Sequence, residues 1–425
     1  MEEIMLKVIE AFSGIGSQVQ ALKNIKVEHK VEAIIEWEIG AMYAYDIMHN
    51  GKQNITPYRH HTRDSLIKHL SQFKLSSDGK EPLSERSLNA MNVSQLKAIL
   101  AAIERNNNLV DISSTKATQL PEADLLTYSF PCQDLSQSGY WHKNTGGIDR
   151  NANNRSTLLW QVERLLIEYN EIGKKLPSFL LMENVNNILS SQHIENFREW
   201  QSFLEGLGYV NQIYTLDSRN FGIPQSRIRT YMVSVLANDN DKKSDIKNYF
   251  QKNNLENVKI EKDKFASIDK YLKLDYSNEI YREEAIDSTP FFTNSRKKIF
   301  ENNVVLAIDD KPIQNIWART VTTKQDRHPN SGIIRYDKCV LTDINKEYRN
   351  LTPRECFLLM GFDEKQYQNL LDNNILIGKD RKILPSSKLI KLAGNSIVVP
   401  VLEKIFEQID EINNEILNKE QMTLA

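Results

Sequence analysis

The chain has 425 residues, 40% hydrophobic and 26% charged, with 54 basic against 56 acidic side chains; this is the balance of a globular protein and excludes a disordered, fibrous or collagen-like chain. A formal net charge of −2 excludes a uniformly basic nucleic-acid coat, so any polyanionic partner must be gripped by a local patch. Three cysteines, Cys132, Cys339 and Cys356, are too few and too scattered for a disulfide framework or a zinc cage, so no metal is expected. With no apolar run of about 18 residues and no basic-then-apolar leader after Met1-Glu2-Glu3, a reducing, cytoplasmic setting without membrane contact is expected.

Residues 4–12 form an apolar run that leads into Ser13-Gly14-Ile15-Gly16, and 17–25 has helical spacing, which predicts strand, tight loop, helix. A second strand over 31–35 ends in Glu36-Trp37. From about 49 to 108 the chain turns polar, with helical stretches at 64–73 and 94–105, and reads as an insertion with no recognisable chemistry. Strand-like runs follow at 125–130, 178–182 and 230–236, with helical segments 156–169 and 195–207 between them. The alternation predicts an α/β fold, a doubly wound and mostly parallel sheet covered on both faces. Residues 1–236 are expected to form this first domain. Residues 237–348, richer in lysine, asparagine and aspartate, form a second, smaller one, and 349–425 carry helices at 351–360 and 399–416 that return to the first.

Chemistry concentrates at strand ends. A glycine loop between strand and helix lets backbone approach a ligand, and Glu36 after the next strand can accept ribose hydroxyls, which together suggest an adenosine-containing cofactor. Two glycines in such a turn are equally open to a plain structural reading, as Trp37 is to a core tryptophan or a cover for an adenine face. Cys132, in Ser129-Phe130-Pro131-Cys132-Gln133, is either a nucleophile or an inert buried thiol. Met182-Glu183-Asn184-Val185 puts a carboxyl group on the same sheet edge, where its charge needs a partner or a task. In Gln225-Ser226-Arg227-Ile228-Arg229 the alternate arginines point to one face of an extended segment, as a clamp for phosphate or base or as solvated surface charge.

The ordered set resembles the DNA cytosine-5 methyltransferases. Glu10-Ala11-Phe12-Ser13-Gly14-Ile15-Gly16 is similar to that family's first motif, Glu36-Trp37 to its second and Asp111-Ile112 to its third. The Pro-Cys-Gln, Glu-Asn-Val and Gln-x-Arg-x-Arg phrases are similar to its catalytic motifs, and Leu351-Thr352-Pro353-Arg354-Glu355-Cys356 and Gly394-Asn395-Ser396 to its last two. The resemblance implies a Rossmann-like methyltransferase fold with a target-recognition domain over 237–348. It implies transfer of a methyl group from S-adenosylmethionine, leaving S-adenosylhomocysteine, to C5 of a flipped cytosine in duplex DNA.

Cys132 then adds to C6, Glu183 protonates N3, Arg229 orients the base, and Arg227 steadies the site. Phe12, Ser13, Gly14, Gly16, Glu36, Trp37, Asp111, Ile112, Pro131, Leu158, Asn395 and Ser396 form the cofactor site. Gln133 to Arg155 resembles a mobile catalytic loop with Gly139, Gly146 and Gly147 as hinges. Gln133, Ser136, Arg319, Thr320, Thr322, Lys324, Arg327 and Arg335 contact DNA, with Thr320-Val321-Thr322 standing where the family has a Thr-Leu pair; Arg296-Lys297-Lys298 are further candidates. The implied setting is a bacterial or phage restriction-modification system: a monomer at the nucleoid, with a cognate endonuclease as partner. The rivals are a tRNA cytosine-5 methyltransferase, a catalytically silent DNA-binding regulator and, weaker, a dinucleotide-dependent oxidoreductase.

Overall fold

The computed structural model describes residues 5–131, 135, 147–150, 155–237, 239–261, 264–291, 293–313, 316–337, 341 and 347–418. Cys132, Gln133, Ser136, Gly139, Gly146, Lys338 and Cys339 lie outside them. The strands are β1 (Leu6–Ala11), β2 (His29–Ile35), β3 (Leu125–Tyr128), β4 (Phe179–Val185), β5 (Tyr209–Asp217), β6 (Gln225–Ser226), β7 (Ile228–Leu236), β8 (Val305–Ile308), β9 (Lys311–Pro312), β10 (Ala318–Arg319), β11 (Ile333–Arg335) and β12 (Tyr348–Asn350).

The chain divides into two compact units, one of residues 1–216, 228–258 and 402–425, the other of 217–227 and 259–401. These edges differ from the domain boundaries expected from composition. The helix Asn240–Lys252 belongs to the first unit, where Tyr249 bonds Glu411 and the Gln408 side chain reaches the Asn253 carbonyl. Residues 349–401 belong to the second, because Arg349 and Glu355 form a buried ion pair inside it, with Arg349 also donating to the Tyr276 hydroxyl.

In the first unit six strands form one sheet in the order β2-β1-β3-β4-β7-β5. The pairs β1/β2, β1/β3 and β3/β4 are parallel, and β4/β7 is antiparallel. Strands β3 and β4 are buried along almost their whole length, which is why they read as continuous apolar runs rather than alternating ones. The core packs Ile9, Ala11, Leu126, Tyr128, Leu180 and Met182 of the sheet against Leu165, Leu166, Phe197 and Trp200 of the helices Leu159–Glu171 and Ile194–Gly206. Strand β5 went unread in the sequence: Asn211, Gln212 and Thr215 interrupt its apolar residues, and it ends the sheet order half-exposed.

The order reverses at β1, with β2 to one side and β3 to the other. In open α/β sheets the crevice at the carboxyl ends of such strands holds the ligand. The segment 49–108 forms the helices Arg63–Leu70, Glu85–Asn89 and Val93–Arg105 with a core of its own, including Leu66, Leu70, Leu96 and Ile99. It is tied to the helix Ile39–Asn50 through Asp46, a buried carboxylate that accepts from Asn50, Gln53, Arg105 and Asn106. Among the described residues no helix is long and apolar enough to cross a membrane.

Candidate active site

The loop after β1 is built from backbone constraint. Phe12, Gly14 and Gly16 have φ of 57°, 57° and 79°, and Phe12 N–H donates to the Ile35 carbonyl, tying the ends of β1 and β2 together. At Gly16 a Cβ would stand 2.2 Å from His49 Nε2, so both conformation and space require glycine. Burial pushes the His49 imidazole down to about 3. The ring is therefore neutral, and its Nε2, 2.8 Å from the Ile15 carbonyl, carries the proton because a carbonyl only accepts. At Gly14 a Cβ would meet nothing within 4 Å, leaving open space beside the loop, and the buried Ser13 hydroxyl has no hydrogen-bonding partner among the described residues.

Glu36 faces this loop. Its Oε2 accepts from Gly14 N–H at 3.0 Å and its Oε1 from Glu38 N–H at 2.8 Å, two backbone donors that fix the carboxylate plane. Its own peptide is gripped by Asn108, whose Oδ1 accepts from Glu36 N–H at 3.0 Å while its Nδ2 donates to the Glu36 carbonyl at 2.9 Å. Asn108 also accepts from Val110 N–H, which joins the end of β2 to Asp111. Asp111 Oδ1 accepts from Ser113 N–H at 3.1 Å, and Lys74 Nζ lies 3.3 Å from its Oδ2. The buried Ile112 packs in the core while Arg164 donates to its carbonyl. Phe12 and Leu158 both pack against that same core.

A second group gathers at the ends of β3, β4 and β7. Ser129 hydroxyl donates to Glu183 Oε2 at 2.7 Å, and Arg229 Nε lies 3.4 Å from Glu183 Oε1. The pairing places Glu183 opposite Tyr231, so Arg229, two residues before Tyr231, falls on the same face as the carboxylate. The chain entering position 132 is held just before it. Asn184 Nδ2 donates to the Phe130 carbonyl at 3.2 Å, and Ser156 hydroxyl donates to the Pro131 carbonyl at 2.8 Å. Beyond the undescribed stretch, Gly147 has φ of 50° and lies where a Cβ would meet the His193 ring at 2.2 Å.

Arg227 is placed differently from Arg229. The two arginines were expected on one face of an extended segment; Arg227 lies between β6 and β7, outside both strands, and the two have different partners. Arg227 is buried in the second unit and donates to the carbonyls of Val321, Gly394 and Ser396 at 3.0, 3.1 and 2.8 Å. Gln225 works alongside it, accepting from Val321 N–H and donating to the Leu359 carbonyl. Thr320 hydroxyl donates to the Ser226 carbonyl. A Cβ at Gly394 would stand 2.5 Å from the backbone of Thr322 and Thr323, so the end of the helix Ser386–Asn395 lies directly on that loop. Asn395 and Ser396 thus belong to the second unit, where the Ser396 carbonyl serves Arg227. Of the remaining basic candidates in this unit, Arg319 and Lys324 are exposed. Arg327 sits 3.4 Å from Asp326 and Arg335 2.9 Å from Asp337.

Several residues that build the site were not singled out in the sequence. Asn108 closes the insertion and carries no motif; its one signal is that it lies three residues before Asp111. Ser156 is a common residue type whose partner lies far along the chain, and Ser129, quoted within the Pro-Cys-Gln phrase, was given no role of its own.

The C-5 cytosine-specific DNA methylase family matches residues 86–411 of the chain. The type II methyltransferase M2.ScrFI of Lactococcus lactis subsp. cremoris is 30% identical over 95% of this chain and 99% of its own. The orphan methyltransferase M.SssI of Spiroplasma monobiae is 32% identical over 95% and 97%. Among solved structures, the Dnmt2 methyltransferase of S. pombe aligns with a TM-score of 0.58 at 20% identity, covering 96% of this chain and 99% of that one. At that identity the structural likeness speaks for the fold alone.

Proposed function

The chain belongs to the C-5 cytosine-specific DNA methylases and is a DNA cytosine-5 methyltransferase; from that premise we propose how its residues divide the reaction. The observation that carries the assignment is the Glu183 carboxylate, held on one oxygen by Ser129 and on the other side by Arg229 at a strand end. It stands one residue before the Asn184 that fixes the approach to Cys132.

Cytosine C5 is a poor nucleophile, so the Cys132 thiolate first adds to C6. As the S–C6 bond forms, electron density moves through the ring and N3 takes a proton from the Glu183 carboxyl. Arg229 directs its guanidinium at the base carbonyl oxygen and orients the ring. S-adenosylmethionine, the methyl donor of the family, supplies an electrophilic methyl group when bound. Loss of the C5 proton and breakage of the S–C6 bond then restore the aromatic ring, and the N3 proton returns to Glu183. The target base leaves the helix stack to reach these groups. Arg227 acts one step away, by ordering the Val321, Gly394 and Ser396 backbone.

The cradle suits the adenosyl group of that donor. Glu36 has the acceptor chemistry that ribose hydroxyls need, Gly14 leaves open space, and the Ser13 hydroxyl is buried without a partner. We assign Phe12 and Trp37 to the adenine faces, Asp111 and Ile112 to its edge, and Leu158 and Pro131 to the rest; Asn395 and Ser396, which the family resemblance adds to this set, belong to the second unit. Residues 237–348 carry target recognition, with Arg319, Thr320, Thr322, Lys324, Arg327, Arg335, Gln133 and Ser136 as the DNA contacts. The relatives named as type II methyltransferases support a restriction-modification role; from the family resemblance we further propose a monomer acting in the bacterial cytoplasm on nucleoid DNA, beside a cognate endonuclease.

Bisulfite sequencing of a mixed-sequence plasmid treated with the protein and S-adenosylmethionine tests this directly. Protected cytosines in one recurring context are expected. Unprotected DNA together with methyl incorporation into tRNA would overturn the DNA assignment.

A further inference from the structure

We propose that the insertion at 49–108 forms the outer wall of the cofactor cradle and acts on the cofactor through Lys74, a positioning residue for Asp111. The proposal rests on the reading of Asp111 as the acceptor for the cofactor's adenine amine.

The segment following the helix Arg63–Leu70 is pinned to the end of β2. Ser76 N–H donates to the Trp37 carbonyl at 2.8 Å, and Ile39 N–H donates to the Ser76 carbonyl at 2.9 Å. Leu75 is buried and its carbonyl accepts from Leu83 N–H, while the Ser76 hydroxyl donates to the Glu81 carbonyl and accepts from Gly79 N–H. Lys74 therefore leaves a fixed backbone directly beside Trp37. Its ammonium lies 3.3 Å from Asp111 Oδ2 and 6.0 Å from the centroid of the Trp37 ring, touching both residues assigned to the adenine.

Asp111 is nearly buried, and a carboxylate there requires compensation. An ionised carboxylate offers about four lone-pair sites. Ser113 N–H and Lys74 engage one on each oxygen, which fixes the rotamer and leaves the others to receive an amine. Lys74 also sets a cation over the Trp37 ring, 6.0 Å from its centroid, at the adenine end of the cradle. Its side chain remains half-exposed, so the effect is that of a partly screened ion pair, about three- to fivefold in affinity.

The test is calorimetric titration of the full chain with S-adenosylhomocysteine and with adenosine alone, for the wild type, Lys74→Met, Lys74→Arg, Asp111→Asn and the Lys74→Met/Asp111→Asn pair. Lys74→Met is expected to weaken both ligands about three- to fivefold, equally, because the contact is at the adenine end. Lys74→Arg should restore most of the loss, and Lys74→Met should add nothing in the Asp111→Asn background. In turnover, KM for S-adenosylmethionine should rise with kcat unchanged, and the melting temperature without ligand should fall by no more than the loss of one half-exposed ion pair allows. Unchanged or tighter binding by Lys74→Met, or a full further loss in the Asp111→Asn background, overturns the proposal. Glu36→Gln is the control for the cradle itself. If that variant binds S-adenosylhomocysteine normally, the cofactor reading fails; if it loses binding while Lys74→Met does not, only the role of Lys74 fails.

Discussion

The proposed cofactor cradle and the proposed catalytic edge sit on the same sheet but are built from different kinds of bond. In the cradle the oxygens of the carboxylate assigned to the ribose, Glu36, accept from two backbone N–H groups, while the Asn108 side-chain amide grips its peptide. At the edge the functional carboxyl, Glu183, is positioned by side chains, a serine hydroxyl and a guanidinium. Backbone donors hold a shape whatever the protonation state, which suits a group that only binds. Side-chain partners on a group that exchanges a proton leave it able to adjust between its two states. Damage to the edge should therefore appear in turnover with binding kept, and damage to the cradle in binding.

The largest expected effects fall at the edge. Cys132→Ser should abolish turnover, and Glu183→Gln should lower kcat by about 10²–10⁴, the range for a positioned acid, with S-adenosylhomocysteine affinity unchanged in calorimetry. An equal loss of binding in either variant would dissolve the distinction between the two regions.

Arg227 sharpens the comparison because it shares a motif with Arg229 and yet belongs to neither region. Arg227→Ala removes a donor shared by the carbonyls of Val321, Gly394 and Ser396, and a buried acceptor left unsatisfied costs about 1–3 kcal/mol. The expected outcome is a large fall in denaturant midpoint. Arg229→Ala, by contrast, should lower kcat with little change in stability. Comparable stability losses in both variants would mean that the motif acts as one structural unit.

What could be read in advance follows the range of the interactions. The buried strands, the glycine turn and the strand-end cysteine and glutamate are local patterns, and the resemblance to a family rests on them. Asn108 and Lys74 escaped because each acts across the fold, Asn108 on Glu36 and Lys74 on Asp111, at distances along the chain that no periodicity encodes. The separate partners of Arg227 and Arg229 could not be read because those partners lie far along the chain, Gly394 and Ser396 for the one and Glu183 for the other. Strand β5 was lost because polar residues at its half-exposed positions mask the apolar ones.

A smaller effect is expected in the cradle at Gly16→Ala. The new methyl group overlaps His49 and Tyr45 in a backbone conformation that disfavours side chains, at about 1–3 kcal/mol for the overpacking. His49 must move and give up its bond to the Ile15 carbonyl. Binding of S-adenosylhomocysteine should weaken at least tenfold, roughly the 1.4 kcal/mol equivalent, while any residual turnover at saturating cofactor keeps its kcat. A lowered kcat at saturation would show that the loop serves the edge as well.

The last contrast is between two glutamates. Glu183 is held by two side-chain partners, whereas Glu10, also near the end of its strand, is fully buried on β1. Burial pushes the Glu10 carboxyl up to about 7, partly opposed by the Tyr45 hydroxyl, the Val19 backbone and the charge of Lys23. Its folded value thus lies above the unfolded value of 4.5, so the folded chain holds this proton more tightly. The associated stability is fully present below about pH 4.5 and is lost as the pH rises through 7, because the unfolded chain releases the proton first. Glu10→Gln removes this titration without removing the shape. Denaturant unfolding should show the variant gaining on the wild type by about 1–3 kcal/mol between pH 5 and pH 8. A constant difference across that window would mean that Glu10 stays ionised beneath the cradle, with Tyr45 and Lys23 fully compensating its burial.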